Sequence, residues 1–227
     1  EYKLSILDLE KLIGKKKKYK ILAVDPHPDD ETMTSGGFMS KFAGNQNFEL
    51  KHICVTKGEG GDELLKLSPE KLAQIREVEY KEALKELGVE NFEIWDFPDG
   101  GLKNENDRLK NKLKKEIDTV SPDLILVYER DGLYGHPDHI TVSSIIQDLA
   151  TKSSRKIVVL YKTLPQVVLK NMDLPVHMAN GKKLKQAEPK YRLPLRREII
   201  YKYRAARKHK SQDLAHGKPL WLLMLLM

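Results

Sequence analysis

The chain has 227 residues, of which 40% are hydrophobic and 32% are charged, so it can bury a core and is not expected to be disordered. Cys54 is its single cysteine, which excludes an intramolecular disulfide and fits a reducing compartment. Lys and Arg number 40 against 33 Asp and Glu, for a net charge of +7, but charge runs usually form solvated faces, and no nucleic-acid-binding signature accompanies them.

Strand-like and helical segments alternate along the chain. In chain order they are strands over 19–25 and 50–56, a helix over 69–87, a strand over 91–97, a helix over 107–120, a strand over 123–128, a helix over 137–151 and a strand over 156–161. The first helix has Ser68 as its N-cap, Pro69 at its first position and Gly88 as its stop. This alternation indicates a parallel sheet covered by helices on both faces.

We predict the α/β class and, within it, a single domain with a Rossmann-like, doubly wound and mostly parallel sheet. With the strands numbered along the chain, the usual order is 3-2-1-4-5. The first and fourth strands are then neighbours at the topological switch point, where ligands bind outside the carboxyl ends of the strands. The core is expected over 19–165. The segment 166–227, predicted to be irregular over 171–194, would cover this crevice.

The loops after the first and fourth strands carry the same residue pattern. They read Pro26-His27-Pro28-Asp29-Asp30-Glu31 and Tyr134-Gly135-His136-Pro137-Asp138-His139. In each His-Pro-Asp quartet the outer residues lie three apart, on one side of a first helical turn. Imidazoles and carboxylates that face one crevice are ligands for a divalent metal, and a set of two histidines and a carboxylate suits catalytic zinc with a position open for water. One such quartet can be a mere helix cap, but two after neighbouring strands favour a metal site.

The helix 69–87 carries charges inside its apolar stripe, because Arg76 and Glu79 lie among Leu72, Ile75, Ala83 and Leu87. Buried charges are costly unless they are paired. One interpretation is a structural salt bridge from Arg76 to Glu79 or to Glu77. The other is that Arg76 reaches the crevice and holds substrate hydroxyls or a carboxylate.

These motifs resemble those of the PIG-L/LmbE-like family of zinc-dependent de-N-acetylases, which has a His-Pro-Asp-Asp-Glu stretch after its first strand and a His-Pro-Asp-His stretch later. The resemblance covers roughly residues 20–212. It continues through Arg76-Glu77-Val78-Glu79, Leu87-Gly88-Val89, Phe97-Pro98-Asp99-Gly100-Gly101-Leu102 and the late Lys202, Ala205 and His209-Lys210-Ser211-Gln212.

The resemblance implies a role for each motif residue. The zinc ligands would be His27, Asp30 and His139. Asp29 would be the general base, and His136 would stabilise the oxyanion or protonate the departing amine. The substrate side would comprise Arg76 and Asp99, which match positions that contact the sugar, and Asp138, which would also orient a histidine. Because the helix dipole opposes protonation of an imidazole at a helix N-terminus, a charged His136 would need a carboxylate partner.

The activity implied is removal of an acetyl group from an N-acetylglucosamine-containing small molecule by a zinc-bound water, with another divalent metal such as Fe²⁺ able to occupy the same ligands. One alternative is an amidase of a larger acyl or thiol conjugate that uses the same site. Another is a metal-holding binding module without turnover, which would need neither Asp29 nor His136. The third alternative is a nucleic-acid-binding role for the basic tail over 196–210, whose charges have helical spacing.

The implied partner is a small-molecule amino sugar, and no nucleic acid is expected. No membrane span is expected either, because the longest apolar run, 220–227, is well short of the roughly 20 residues that a spanning helix needs. The N-terminal residues do not read as a secretory signal, so we expect a cytoplasmic protein. The 220–227 run would pack against the sheet or a second copy of the chain, which leaves a homo-oligomer open.

Overall fold

The computed structural model describes residues 4–61, 65–164, 187–212 and 214. Its strands are β1 (Ser5–Ile6), β2 (Tyr19–Asp25), β3 (Phe48–Thr56), β4 (Phe92–Phe97), β5 (Leu124–Tyr128), β6 (Val158–Lys162) and β7 (Tyr191–Arg192). Its helices are α1 (Leu9–Ile13), α2 (Asp30–Met33), α3 (Gly36–Phe42), α4 (Pro69–Leu87), α5 (Asn106–Val120), α6 (Gly132–Gly135), α7 (Pro137–Lys152) and α8 (Glu198–Ala206), with 3-10 turns at Leu102–Glu105 and Lys210–Gln212.

Five strands form one sheet in the order β4-β3-β2-β5-β6, which is the predicted order 3-2-1-4-5 for the five predicted strands. The pairs β3–β4 and β5–β6 are parallel. The carbonyl of Lys20 in β2 accepts the N–H of Asp123, just before β5, at 2.8 Å, and the carbonyl of Pro26 accepts the N–H of Thr56 at the end of β3 at 2.9 Å. The α/β class with a mostly parallel sheet is therefore confirmed.

Helix α4 has the predicted bounds and the predicted ends. The hydroxyl of Ser68 accepts the N–H of Lys71, and Pro69 begins the helix. Gly88 ends it in the left-handed conformation, with φ of 76°, and donates its N–H to carbonyls of the last turn. The helix buries Arg76 and Glu79 along with Leu72, Ala83 and Leu87 of its apolar stripe, so the charges on that stripe are interior groups.

Several elements were not predicted, namely α1, α3, α6, α8, β1 and β7, although the basic tail over 196–210 has helical spacing. A helical turn was predicted at the first His-Pro-Asp motif, and α2 begins there at Asp30. Apart from α8, the elements that were not predicted have two to seven residues and are too short to display a period, and α3 begins with two glycines, which are poor helix formers. The β1–β7 pair is a two-stranded parallel sheet of its own, with Ser5 opposite Tyr191. Residues 191–192 therefore form a strand, although the segment 171–194 was predicted to be irregular.

The chain divides into two compact units, each made of two stretches. The first unit comprises Glu1–Leu22 and Gly101–Pro194, and in it α7 packs against α5 and β5. The second comprises Ala23–Gly100 and Leu195–Met227, and in it α8 packs against α2, α3 and α4. The single domain with a covering segment over 166–227 stays a prediction, because 165–186 and 215–227 lie outside the described residues.

Among the residues that the structure describes, no helix combines the length and the apolar character needed to cross a membrane.

Candidate active site

The first His-Pro-Asp motif follows β2 in the second unit and turns sharply into α2. Asp29 has φ of 116° and ψ of −32°, a backbone conformation that costs a non-glycine residue on the order of 1–3 kcal/mol. Its carbonyl accepts the N–H groups of Thr32 and Met33 at 3.0 and 2.8 Å, which begins the helix. The side chain of Asp29 is 20% exposed, whereas that of Asp30 is buried. Adjacent carboxylates thus occupy different environments.

The imidazole of His27 lies between two carboxylates of the same unit. Its Nδ1 is 3.3 Å from Oδ2 of Asp30, and its Nε2 is 3.0 Å from Oδ1 of Asp99. The second oxygen of Asp99 accepts the N–H of Gly60 at 3.0 Å. Burial alone would raise the pKa of Asp99, but the hydrogen bond and charge of His27 outweigh it and lower that pKa to about 2. Asp99, which was predicted to bind substrate, is therefore paired with His27, which was predicted to bind the metal.

Arg76 reaches the same loop from α4. Its buried guanidinium donates to the carbonyls of Gly58 and Pro28 and lies 3.1 Å from Oδ2 of Asp29. A side chain at Gly58 would displace this guanidinium, because a Cβ there would lie 2.5 Å from the guanidinium carbon, and its φ of 71° also favours glycine. The predicted contact between Arg76 and substrate stays a prediction, and the contact that the structure records is with the candidate base.

Neither acidic neighbour on α4 is the partner of Arg76. The carboxylate of Glu79 accepts the backbone N–H and the hydroxyl of Ser211 at 2.9 and 2.6 Å. Glu77 pairs with Lys57 and Lys81. The interpretation of Arg76 as half of a salt bridge along its own helix is therefore wrong.

Burial raises the pKa of the Asp29 carboxyl to about 7, although the charge of Arg76 lowers it, and the negative charge of Asp30 adds to the rise. A mostly buried carboxyl next to a second one is expected to hold its proton more firmly than a surface aspartate.

A buried pair of Glu31 and His209, for which no role was predicted, contacts the backbone of Asp29. One carboxylate oxygen of Glu31 accepts the backbone N–H of Asp29 at 2.8 Å, and the other lies 2.7 Å from Nε2 of His209 and 2.6 Å from the hydroxyl of Thr32. Burial raises the pKa of Glu31, but the charge and hydrogen bond of His209 outweigh it, and the pKa falls. The pKa of His209 is raised for the reciprocal reason, against the effect of burial. His209, which belongs to the late motif of the family pattern, is thus a fully buried partner of Glu31.

The second His-Pro-Asp motif begins α7 in the first unit. His136 is the N-cap, and its Nδ1 accepts the N–H of Asp138 at 3.2 Å. A ring nitrogen that accepts a hydrogen bond carries no proton, so in the neutral ring the proton is on Nε2. The carboxylate of Asp138 is fully buried and accepts the N–H of Leu102 at 3.2 Å. The proposed orientation of a histidine by Asp138, and its place on the substrate side, stay predictions.

His139 is fully buried in the first turn of α7. Its ring stacks on that of Tyr128, with centroids 4.0 Å apart, and lies 4.8 Å from the ring of His136. Its Nδ1 is 3.2 Å from the carbonyl of Gly132, and because a carbonyl only accepts, Nδ1 carries the proton. In the neutral ring, Nε2 is then the nitrogen that can bind a metal.

The turn that holds His139 is itself held by a buried carboxylate. Glu129 accepts the N–H groups of Asp131 and Leu133 at 3.2 and 3.0 Å. Leu133 has φ of 68°, an unfavourable value for a leucine. Burial raises the pKa of Glu129. Each motif thus has a buried glutamate that accepts the N–H of a residue with positive φ.

Comparison with known proteins places these motifs in a family. The profile of the family described as PIG-L, GlcNAc-PI de-N-acetylase, matches residues 22–150. A Nakamurella multipartita protein named 1D-myo-inositol 2-acetamido-2-deoxy-alpha-D-glucopyranoside deacetylase is 31% identical over 156 residues, which cover 56% of this chain and 53% of the relative. A Bacillus anthracis protein named "Probable N-acetyl-alpha-D-glucosaminyl L-malate deacetylase 2" is 30% identical over 146 residues, or 62% of this chain and 64% of the relative.

The chain spans about half the length of most of the curated relatives that it matches. Among solved structures, N,N'-diacetylchitobiose deacetylase from Pyrococcus horikoshii resembles it with a TM-score of 0.66 at 23% identity, over 94% of this chain and 79% of that one. At this identity the likeness shows the fold. Both His-Pro-Asp motifs lie inside the match to the family profile, which includes more than half of the sequence. The chain therefore belongs to the PIG-L family of GlcNAc-PI de-N-acetylases.

Proposed function

We propose that the protein is a metal-dependent deacetylase that removes the acetyl group of an N-acetylglucosamine-containing small molecule. The observation that carries this proposal is the family match over residues 22–150, which includes both His-Pro-Asp motifs. The relatives named above are deacetylases of N-acetylglucosamine joined to inositol or to malate, and these names supply the substrate class.

The metal ligands in this proposal are His27, Asp30 and His139, with zinc as the ion and Fe²⁺ as an alternative for the same donors. The chemistry of the donors fits the role. His139 donates its Nδ1–H to a carbonyl, as metal-bound histidines commonly do, which leaves Nε2 for the metal. His27 lies between two carboxylates, so one ring nitrogen can bind the ion while the other is held by an acid.

A divalent ion, when bound, supplies a water of lowered pKa and polarises the amide carbonyl. Asp29 is the group that takes the proton from this water. Arg76 donates a hydrogen bond to Oδ2 of Asp29, and none of the described residues is hydrogen-bonded to Oδ1. We therefore propose that Oδ1 is the atom that accepts the proton of the water. The different exposure of the two carboxylates supports these separate roles, because the side chain of Asp29 is 20% exposed and that of Asp30 is buried.

His136 is the group that we assign to the oxyanion. Its Nδ1 accepts the N–H of Asp138, so the neutral ring offers Nε2–H as a donor. A fixed donor of this kind stabilises the charge that develops on the carbonyl oxygen as water attacks. The N-cap position, which opposes protonation of the ring, supports the donor role over that of general acid. Arg76, Asp99 and Asp138 are proposed on the substrate side, as the family pattern implies.

The proposal is tested by acetate release from four compounds: N-acetylglucosamine, N,N'-diacetylchitobiose and the inositol- and malate-linked conjugates of N-acetylglucosamine. Protein reconstituted with zinc is compared with protein treated with a chelator. Chelator-sensitive release from any compound supports a metal-dependent deacetylase and ranks the substrates. Absence of release from protein shown to carry one zinc per chain overturns the substrate class. Larger acyl conjugates are assayed next, and a metal-holding binding module follows if these are also left intact.

A further inference from the structure

The Glu31–His209 pair offers a role that neither the family pattern nor the predicted site assigns. Both side chains are fully buried, with 2.7 Å between Oε1 of Glu31 and Nε2 of His209. The two residues are 178 positions apart in the sequence, and both belong to the second unit. Burial of an acid and a base costs free energy of desolvation unless the two are well hydrogen-bonded. We therefore expect this pair, which lies beside the first motif, to have a function.

The second carboxylate oxygen of Glu31 contacts Asp29. Oε2 of Glu31 accepts the backbone N–H of Asp29 at 2.8 Å. This N–H belongs to the residue with φ of 116°, and such a conformation persists only where the surroundings enforce it. His209 and the hydroxyl of Thr32 both bond the other oxygen, Oε1, so the carboxylate cannot rotate without losing two contacts.

We propose that Glu31 and His209 are positioning residues, which together hold the backbone of Asp29 in its strained conformation and so aim its carboxylate. This inference rests on the proposed function, in which Asp29 is the base. Asp29 is then fixed from two sides, by Glu31 at its backbone and by Arg76 at its carboxylate. The late segment that carries His209 contributes to the reaction through its contact with Glu31.

A different interpretation is that His209 merely docks the late segment onto the fold. Ser211 makes a second tie from that segment, since its N–H and hydroxyl bond the carboxylate of Glu79 at 2.9 and 2.6 Å. This tie involves neither Asp29 nor Glu31. Ser211→Ala is therefore a matched control that weakens the docking and leaves the support of Asp29 in place.

The main test uses the double variant Glu31→Leu/His209→Leu. Replacing both members of a buried pair by apolar residues avoids an uncompensated charge, which removal of one member would leave. With zinc restored, we expect kcat to fall about 10- to 100-fold with KM little changed, as for loss of groups that orient a reactive residue. Bound zinc per chain and the cooperative thermal unfolding should be retained.

Glu31→Gln is the conservative variant, because the amide oxygen can accept the N–H of Asp29 while the amide N–H₂ faces a neutral His209. Its kcat should lie close to that of the wild type. Ser211→Ala should lower the unfolding temperature and keep kcat. Equal kcat in the double variant and the wild type, or a fall in kcat of equal size in Ser211→Ala, would overturn the proposal.

Amide hydrogen exchange of Asp29, followed by NMR, tests the positioning without any turnover. The amide should be protected in the wild type, Glu31→Gln and Ser211→Ala, and should lose its protection in the double variant. Unchanged protection in the double variant refutes the inference even if the protein proves not to be a deacetylase. Wild-type protein without acetate release counts against the proposed function alone, and the exchange data still decide whether Glu31 holds Asp29.

Discussion

The guanidinium of Arg76 lies 3.1 Å from Oδ2 of Asp29 and also donates to the carbonyls of Gly58 and Pro28. Three oxygens from two loops thus converge on one buried cation. A planar group with several fixed donors can satisfy all three, whereas an ammonium is a single point of charge. The contact joins α4 to the loop that follows β2, and it makes Arg76 a neighbour of the proposed base.

Arg76→Lys separates the two roles open to this residue. A lysine ammonium presents its donors from one nitrogen, whereas the three oxygens are bound by two separate nitrogens of the guanidinium. We therefore expect Asp29 to lose its fixed orientation, with a fall in kcat and a nearly constant KM. If Arg76 instead binds the sugar, as the family pattern implies, KM should rise and kcat should change less. Steady-state kinetics on the best compound of the panel distinguish these results, and the unfolding temperature controls for loss of structure.

Asp29→Asn removes the proposed base while keeping the shape of the side chain. Asparagine tolerates positive φ better than most residues, and its carbonyl oxygen can still face Arg76, so the fold should survive. General bases contribute about 100- to 10,000-fold to rates, and turnover should fall by that order. Zinc content, measured by atomic emission, should stay at the wild-type value. Loss of zinc would reassign Asp29 to the metal.

The five strands of the main sheet, their order, the ends of α4 and both His-Pro-Asp motifs could be predicted because each has a local signature in the sequence. Apolar runs mark β2 and β5, and Ser68 and Gly88 mark the ends of α4. The Glu31–His209 pair has no such signature, since two polar residues 178 positions apart create no period. The φ of 116° at Asp29 could not be predicted either, because an aspartate does not favour this value and tertiary contacts impose it.

Removal of the proposed ligands should remove the metal. His27→Ala and His139→Ala are each expected to lose zinc binding, since each deletes one of three ligands. His52→Gln is the matched control, because His52 is an equally buried histidine whose ring nitrogens bond Tyr80 and Asp25 at 2.7 and 3.0 Å. This control should keep one zinc per chain even if it unfolds at a lower temperature. Full zinc stoichiometry in His27→Ala is incompatible with the ligand set.

His136→Asn tests the oxyanion role apart from the structural one. Asparagine is a favourable N-cap, so it should still accept the N–H of Asp138 and preserve the start of α7. It has no group at the position of Nε2, and loss of one donor to an oxyanion costs about 100- to 1,000-fold in kcat. His136→Ala should show the same kinetic loss and, in addition, about 1 kcal/mol of lost stability from the missing cap. Wild-type kcat in His136→Asn would remove His136 from the mechanism.

The burial of Lys202 predicts that the free energy of unfolding depends on pH through a group outside the proposed metal site. It is buried in α8, its stem lies against Gly36, and burial lowers its pKa from 10.5 to about 8. Between these values the unfolded chain binds more protons than the folded one, so the free energy of unfolding should rise as the pH increases from about 8 to 10.5. The contribution is at most roughly 3 kcal/mol, at 1.36 kcal/mol per pKa unit.

Lys202→Met should therefore be more stable than the wild type at pH 7, with the difference shrinking above pH 8. Urea denaturation of both proteins at pH 7 and pH 10 measures it, and equal differences at the two pH values would contradict the depressed pKa.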